Sequence, residues 1–143
     1  MTTFVVGTDG SECAKRAAGL AASRARESQG QLVLVAVIEW SRYSFLTPEE
    51  LDSRAKDKKA ETTRAQEQVL APLKAGLELD DTSIKTLVRH GHAAEVLRDV
   101  AQEEGASQIF IGRHGRSPLE AAVFGSVTNK LLRITDVPVT VVP

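Results

Sequence analysis

Three glycines, Gly112, Gly115 and Gly125, separate the apolar run Gln108-Ile-Phe-Ile111 from the segment that opens at Ser126, and their spacing suits the holding of a phosphate. Glycine has no Cβ and reaches backbone angles closed to other residues, so a ligand can lie against the main chain at Gly112 and Gly115. Gly125 then admits it to a helix start. Ser126 is a favoured N-cap there, and the N–H groups of Val127 and Thr128 have no partner inside the helix. The helix dipole favours an anion at that end. Arg113, Arg116 and Ser117 share the loop and can reach phosphate oxygens, Arg116 by charge-assisted hydrogen bonds, although an arginine on a solvated loop needs no such role. The spacing G-x2-G-x9-G-S is not a Walker loop, since no Gly-Lys-Ser/Thr closes it, and it is not the dinucleotide fingerprint G-x-G-x-x-G. Taken singly, each glycine is turn punctuation.

Other reactive side chains are scattered. Asp9 follows an apolar run and reads first as a turn former. His90 and His92, two apart, would face one way on a strand, but no third metal ligand is near in sequence and both read as solvated turn residues. Arg89-His-Gly-His92 fails as the H-x-G-H box of nucleotidyl transferases, because its first position is Arg89 and it follows the third strand, not the first. His114 lies inside the glycine loop, where a proton shuttle is conceivable, yet neither a base nor a charge stabiliser for phosphoryl transfer assembles around it. Cys13 falls in the first turn of a helix and reads as a small buried residue. Trp40, Tyr43 and Phe45 form the one aromatic cluster, packed on a neighbouring surface or folded over a ligand.

The elements that must position these residues follow from periodicity. Phe4 to Thr8 reads as a strand ending at the turn Asp9-Gly10-Ser11, and Ala14, Ala17, Ala18, Ala21, Ala22 and Ala25 recur at helical spacing until Gly30 stops them. Gln31 to Ile38 is continuously apolar and branched, as a strand covered on both faces should be. Thr47-Pro-Glu-Glu opens a long charged helix that Pro72 is expected to end near Leu73. Strands at Ser83–Arg89, Gln108–Ile111 and Val139–Val142 alternate with helices at Ala93–Glu103 and Ser126–Ile134. This βαβαβαβαβ order implies an α/β fold: a single-domain, open, mainly parallel five-stranded sheet with helices on both faces. Ligands bind such sheets beyond the carboxyl ends of the strands at the switch point, and the first and fourth strands end at Asp9 and Gly112.

Composition narrows the partners. The chain has 143 residues, one domain's worth, with 18 basic and 19 acidic side chains, so it lacks the positive field that non-specific nucleic-acid binding needs. No segment is long and apolar enough to span a bilayer, the first residues lack a signal-peptide pattern, and the single cysteine agrees with a reducing compartment. A cytoplasmic protein is expected.

The complete G-x2-G-x9-G-S pattern from Gly112 to Ser126, with Val5-Val-Gly-Thr-Asp-Gly-Ser11 at one end and Val137-Pro-Val-Thr-Val-Val-Pro143 at the other, resembles the nucleotide-binding universal stress proteins. The resemblance implies a Rossmann-like fold of the adenine nucleotide alpha hydrolase-like type. It implies a nucleotide-regulated stress-response module that binds ATP, with Mg²⁺ or Mn²⁺ held through the phosphates and at most slow hydrolysis. It also implies a homodimer formed through the last strand, and leaves room for an unidentified protein partner. By position in the motifs it assigns nucleotide contacts to Gly7, Asp9, Val37, Ile111, Gly112, Gly115, Gly125, Ser126 and Val127, with Thr128 beside them and Arg113, Arg116 and Ser117 as weaker candidates. The family's usual Gly-x-Pro is here Gly91-His92-Ala93, without the proline. Two other readings stand beside this one: an ATP-using transferase or hydrolase on the same cradle, and a structural dimer that binds no nucleotide.

Overall fold

The computed structural model describes residues 2–39, 47–115 and 125–143. Trp40, Tyr43, Phe45, Arg116 and Ser117 lie outside them. Five parallel strands, β1 (Thr3–Thr8), β2 (Gln31–Ile38), β3 (Ile84–His90), β4 (Gln108–Gly112) and β5 (Val139–Val142), form one sheet in the order β3-β2-β1-β4-β5. Side chains alternate across it. Phe4, Val6, Leu32, Leu34 and Phe110 fill the core on one face, and Val5, Val33, Val35, Ile109 and Ile111 fill it on the other.

Helix α1 (Glu12–Ser28) covers the first face with six alanines, all buried, whose small size brings its backbone close to the strands. Its N-cap is Ser11, whose Oγ accepts from the Ala14 N–H at 3.3 Å. Its end differs from expectation: Gln29 at φ 52° is the left-handed C-cap, and Gly30 is needed because a Cβ there would lie 2.4 Å from the Thr2 carbonyl oxygen. Helix α2 (Pro48–Ala65) starts at a reciprocal capping box between Thr47 and Glu50.

Pro72 does not end this helix. A π-helical turn over Gln66–Leu70 leads directly into α3 (Ala71–Gly76), with the Ala71 N–H reaching back to the Gln66 carbonyl. Widening the turn just before a residue that has no N–H lets the chain continue as helix, with Pro72 in the opening turn of α3 where it is tolerated. Leu70 and Leu77 thereby enter the same core as α1. Helices α4 (Ala93–Glu103) and α5 (Ser126–Ile134) cover the opposite face through Leu97, Val100 and Leu131.

Candidate functional site

Connections from β1 and β4 run to opposite faces, since α1 follows β1 on one side and α5 follows β4 on the other. The crevice at their carboxyl ends is where such sheets hold ligands. A pocket of about 350 Å³ opens there. Gly7, Thr8 and Asp9 come from β1 and its turn, Val35 and Val37 from β2, and Ile111, Gly112, His114 and Gly115 from β4 and its loop. Ser11 and Ala14 of the α1 start, Ala93 and Leu97 of α4, and Gly125, Ser126, Val127 and Thr128 of the α5 start close the walls. One end is apolar, at Val35, Val37 and Leu97; the other is polar main chain.

The glycines serve different ends, and unusual backbone angles are not among them. The positive-φ glycines of the described chain are Gly10, Gly91 and Gly105. Gly112 is required by packing: a Cβ on it would lie 2.6 Å from Cys13 Cβ and 2.9 Å from the Cys13 carbonyl carbon, so α1 could not approach β4. Gly7 does the same for α4, where a Cβ would meet Leu97 Cδ1 at 2.7 Å. Gly115 clears room for Asp9, whose Oδ2 would sit 2.8 Å from its Cβ, while a Cβ on Gly125 would meet nothing closer than the Arg113 carbonyl oxygen at 3.5 Å. All four line the pocket, and of them Gly125 has no atom closer than ordinary contact to where a Cβ would stand.

Asp9 is both turn former and pocket wall. Its Oδ1 accepts from the Ser11 N–H at 2.9 Å, and its Oδ2 is the atom turned toward Gly115. At α5 the N-cap is Gly125, not Ser126: Gly125 has extended angles (φ −60°, ψ 157°), its N–H donates to the Arg113 carbonyl at 3.0 Å, and its own carbonyl accepts from Asn129. Ser126 is the first helical residue, and no side chain among the described residues caps this helix. The contrast with α4 is instructive. There the Glu39 carboxylate, at the end of β2, accepts from the Ala93 N–H at 3.2 Å and lies 3.6 Å from His92 Nδ1. Of three helix starts bordering the pocket, α1 is closed by Ser11 and α4 by Glu39, while α5 keeps the dipole end that attracts anions.

Arg113 is not part of the pocket wall. Its main chain links β5 to α5, and its Nε is buried with no partner among the described residues. His90 is not a solvated turn residue: it ends β3 with Nε2 buried and unpartnered among the described residues, and burial, reinforced by the Lys58 charge, lowers its pKa while Glu61 opposes. His92 has left the strand as the exposed N-cap of α4, and the described residues contain no group of three metal-ligating side chains. Cys13 is half-buried, with Sγ 3.3 Å from Arg16 Nη2. A hydrogen bond from Lys130 Nζ to Glu95 Oε1 at 3.0 Å joins α5 to α4 and holds the Glu95 carboxyl below its usual range.

The model of the universal stress protein family matches residues 1–143. The chain belongs to that family. A universal stress protein of Synechocystis is 29% identical over 141 residues, which is 99% of this chain and 85% of the relative. Among solved structures, a universal stress protein from Lactobacillus plantarum superposes with a TM-score of 0.83 at 24% identity, covering 99% of this chain and 97% of that one. A universal stress protein in complex with cAMP superposes with a TM-score of 0.67 at 22% identity, covering 99% and 97%. Among the described residues no helix is long and apolar enough to cross a membrane. Within this universal stress protein, sequence reasoning missed Thr8, Ser11, Ala14, Val35, Ala93 and Leu97 as pocket walls. Val35 was within reach, being two residues before Val37 on the same face of β2. Glu39 carried no signal, because a carboxylate just past a strand reads as a solvated loop residue.

Proposed function

We propose that the protein binds an adenine nucleotide, ATP in the first place, in the crevice between β1 and β4, and that occupancy is its regulatory state. The observation that carries this reading is the α5 start without a side-chain cap, set across the pocket from the apolar surface of Val35, Val37 and Leu97. A nucleotide has the same two ends. Its phosphates fit the N–H groups of Ser126, Val127 and Thr128, and its base fits the apolar end beside Ala93, where the Glu39 carboxylate already takes the helix start and disfavours a second anion. Gly115 and Gly125 leave room for the phosphates, and Asp9 borders them. The relative seen with cAMP supports the adenine class. Mg²⁺ or Mn²⁺ would be held mainly by the phosphates, as hard cations on nucleotides commonly are. The reading includes a cytoplasmic homodimer through β5 and turnover that is at most slow.

Calorimetry with ATP, ADP and AMP, together with mass spectrometry of nucleotide released from freshly purified protein, tests it. Saturable one-site binding is expected. No heat with any of the three and no released nucleotide would sink the reading in favour of a structural dimer. A hydrolysis rate far above background would favour the enzyme reading.

A further inference from the structure

Thr128 is among the few buried polar side chains of the described residues, 3% exposed. Its Oγ1 donates to the Gly112 carbonyl at 3.0 Å. The β1–β4 ladder ends at Val6 and Phe110, two residues before Gly112, so this carbonyl lies beyond the last β1–β4 pair. Two further hydrogen bonds surround it. The Arg113 N–H donates to the Val142 carbonyl of β5 at 2.7 Å, and the Arg113 carbonyl accepts from the Gly125 N–H at 3.0 Å. The first turn of α5 therefore hangs from the end of β4 by two bonds, one from the Gly125 N–H and one from the Thr128 hydroxyl, and the Arg113 N–H ties that end to β5.

We infer that Thr128 is a positioning residue for the anion end of the pocket: its hydroxyl fixes where the N–H groups of α5 stand relative to β4, and ties them to the end of the edge strand β5. This rests on the reading of the pocket as a nucleotide site. Valine has nearly the same shape, so Thr128→Val removes the hydroxyl alone and leaves the Gly112 carbonyl unpaired. Losing a buried partner of this kind shifts the local opening equilibrium by about tenfold. Thr128→Ser restores the donor.

Amide hydrogen exchange on ligand-free protein tests the latch itself. In Thr128→Val, exchange of the amides at the α5 start and at Thr140 to Val142 is expected to rise about tenfold, with Thr128→Ser close to wild type. Calorimetry then compares AMP with adenosine, which lacks the phosphate: AMP binding should weaken about tenfold in Thr128→Val, with adenosine unchanged and serine restoring AMP. Wild-type exchange in the valine variant would overturn the proposal, as would equal losses for AMP and adenosine. If wild type bound neither ligand while the exchange changes appeared as expected, the latch would stand and the nucleotide reading would fall.

Discussion

Gly112 and Gly125 belong to one sequence pattern but answer to different forces, and substitution separates them. Adding a Cβ at Gly112 drives it into Cys13 Cβ and the Cys13 main chain, neither of which can swing away as a side-chain tip would. Gly112→Ala should cost about 1–3 kcal/mol of stability, the range for overpacked sites, with nucleotide affinity falling as a consequence of the displaced α1. Gly125 is at φ −60° and its Cβ would find ordinary contacts, so Gly125→Val should fold with a near-wild-type melting point and lose ATP binding because the branched side chain enters the pocket. Thermal melts with and without ATP distinguish the two, since a ligand that binds only the native state raises the melting temperature by mass action. An ATP-induced shift retained in full by Gly125→Val would remove this glycine from the site. Asp9→Ala should likewise lose more of the ATP-induced shift than of the ligand-free melting temperature.

Whole elements were legible where one signal dominated. Strand β2, helices α4 and α5 and strand β5 fall at the boundaries that apolar runs and helical periodicity predict. Misreadings arose where a local signal met a tertiary one. Pro72 carries a stop signal, but the core contacts of Leu70 and Leu77 hold the helix on, and the π turn absorbs the conflict. Ser126 has the better capping side chain, yet the bonds of Gly125 to Arg113 and Asn129 make Gly125 the N-cap and Ser126 the first helical residue. His90 reads as polar and therefore solvated, but β3 carries it beneath α2. Its folded pKa lies below the ordinary value, so the folded state binds fewer protons than the unfolded one in that range. Stability is then full above about pH 6.5 and falls as the pH drops below it toward the lowered folded value. Lys58 and Glu61 on α2 are the charged neighbours that modulate this, the lysine strengthening and the acid opposing it. Denaturant melts between pH 5 and 7.5 should show the slope in wild type and a weaker one in His90→Asn, with equal slopes counting against His90 as its source.

At the scale of the molecule, the sheet is closed to further strands except at its two edges, and they differ. Strand β3 carries Lys85 and Arg89, paired with Glu104 and Glu103, a charged margin of the sort that discourages pairing. Strand β5 is Val-Thr-Val-Val, half-exposed throughout. The Ile109 and Arg113 N–H groups donate to the carbonyls of Pro138 and Val142, so alternation turns the N–H and C=O of Val139 and Val141 outward. Two copies related by a two-fold axis can join antiparallel there through the same groups on both sides. Four residues a side cannot bury the roughly 1,000 Å² of a stable interface, so pairing must recruit neighbouring side chains as well as the strand. Val141→Pro tests the idea without touching the β4 ladder: it removes one outward N–H, and proline is tolerated on an edge where that N–H faces away from the sheet. Light scattering at micromolar concentration should give a dimer for wild type and a monomer for Val141→Pro, with a cooperative melt retained. A monomeric wild type would sink the dimer. A variant that stays dimeric would move the interface away from β5.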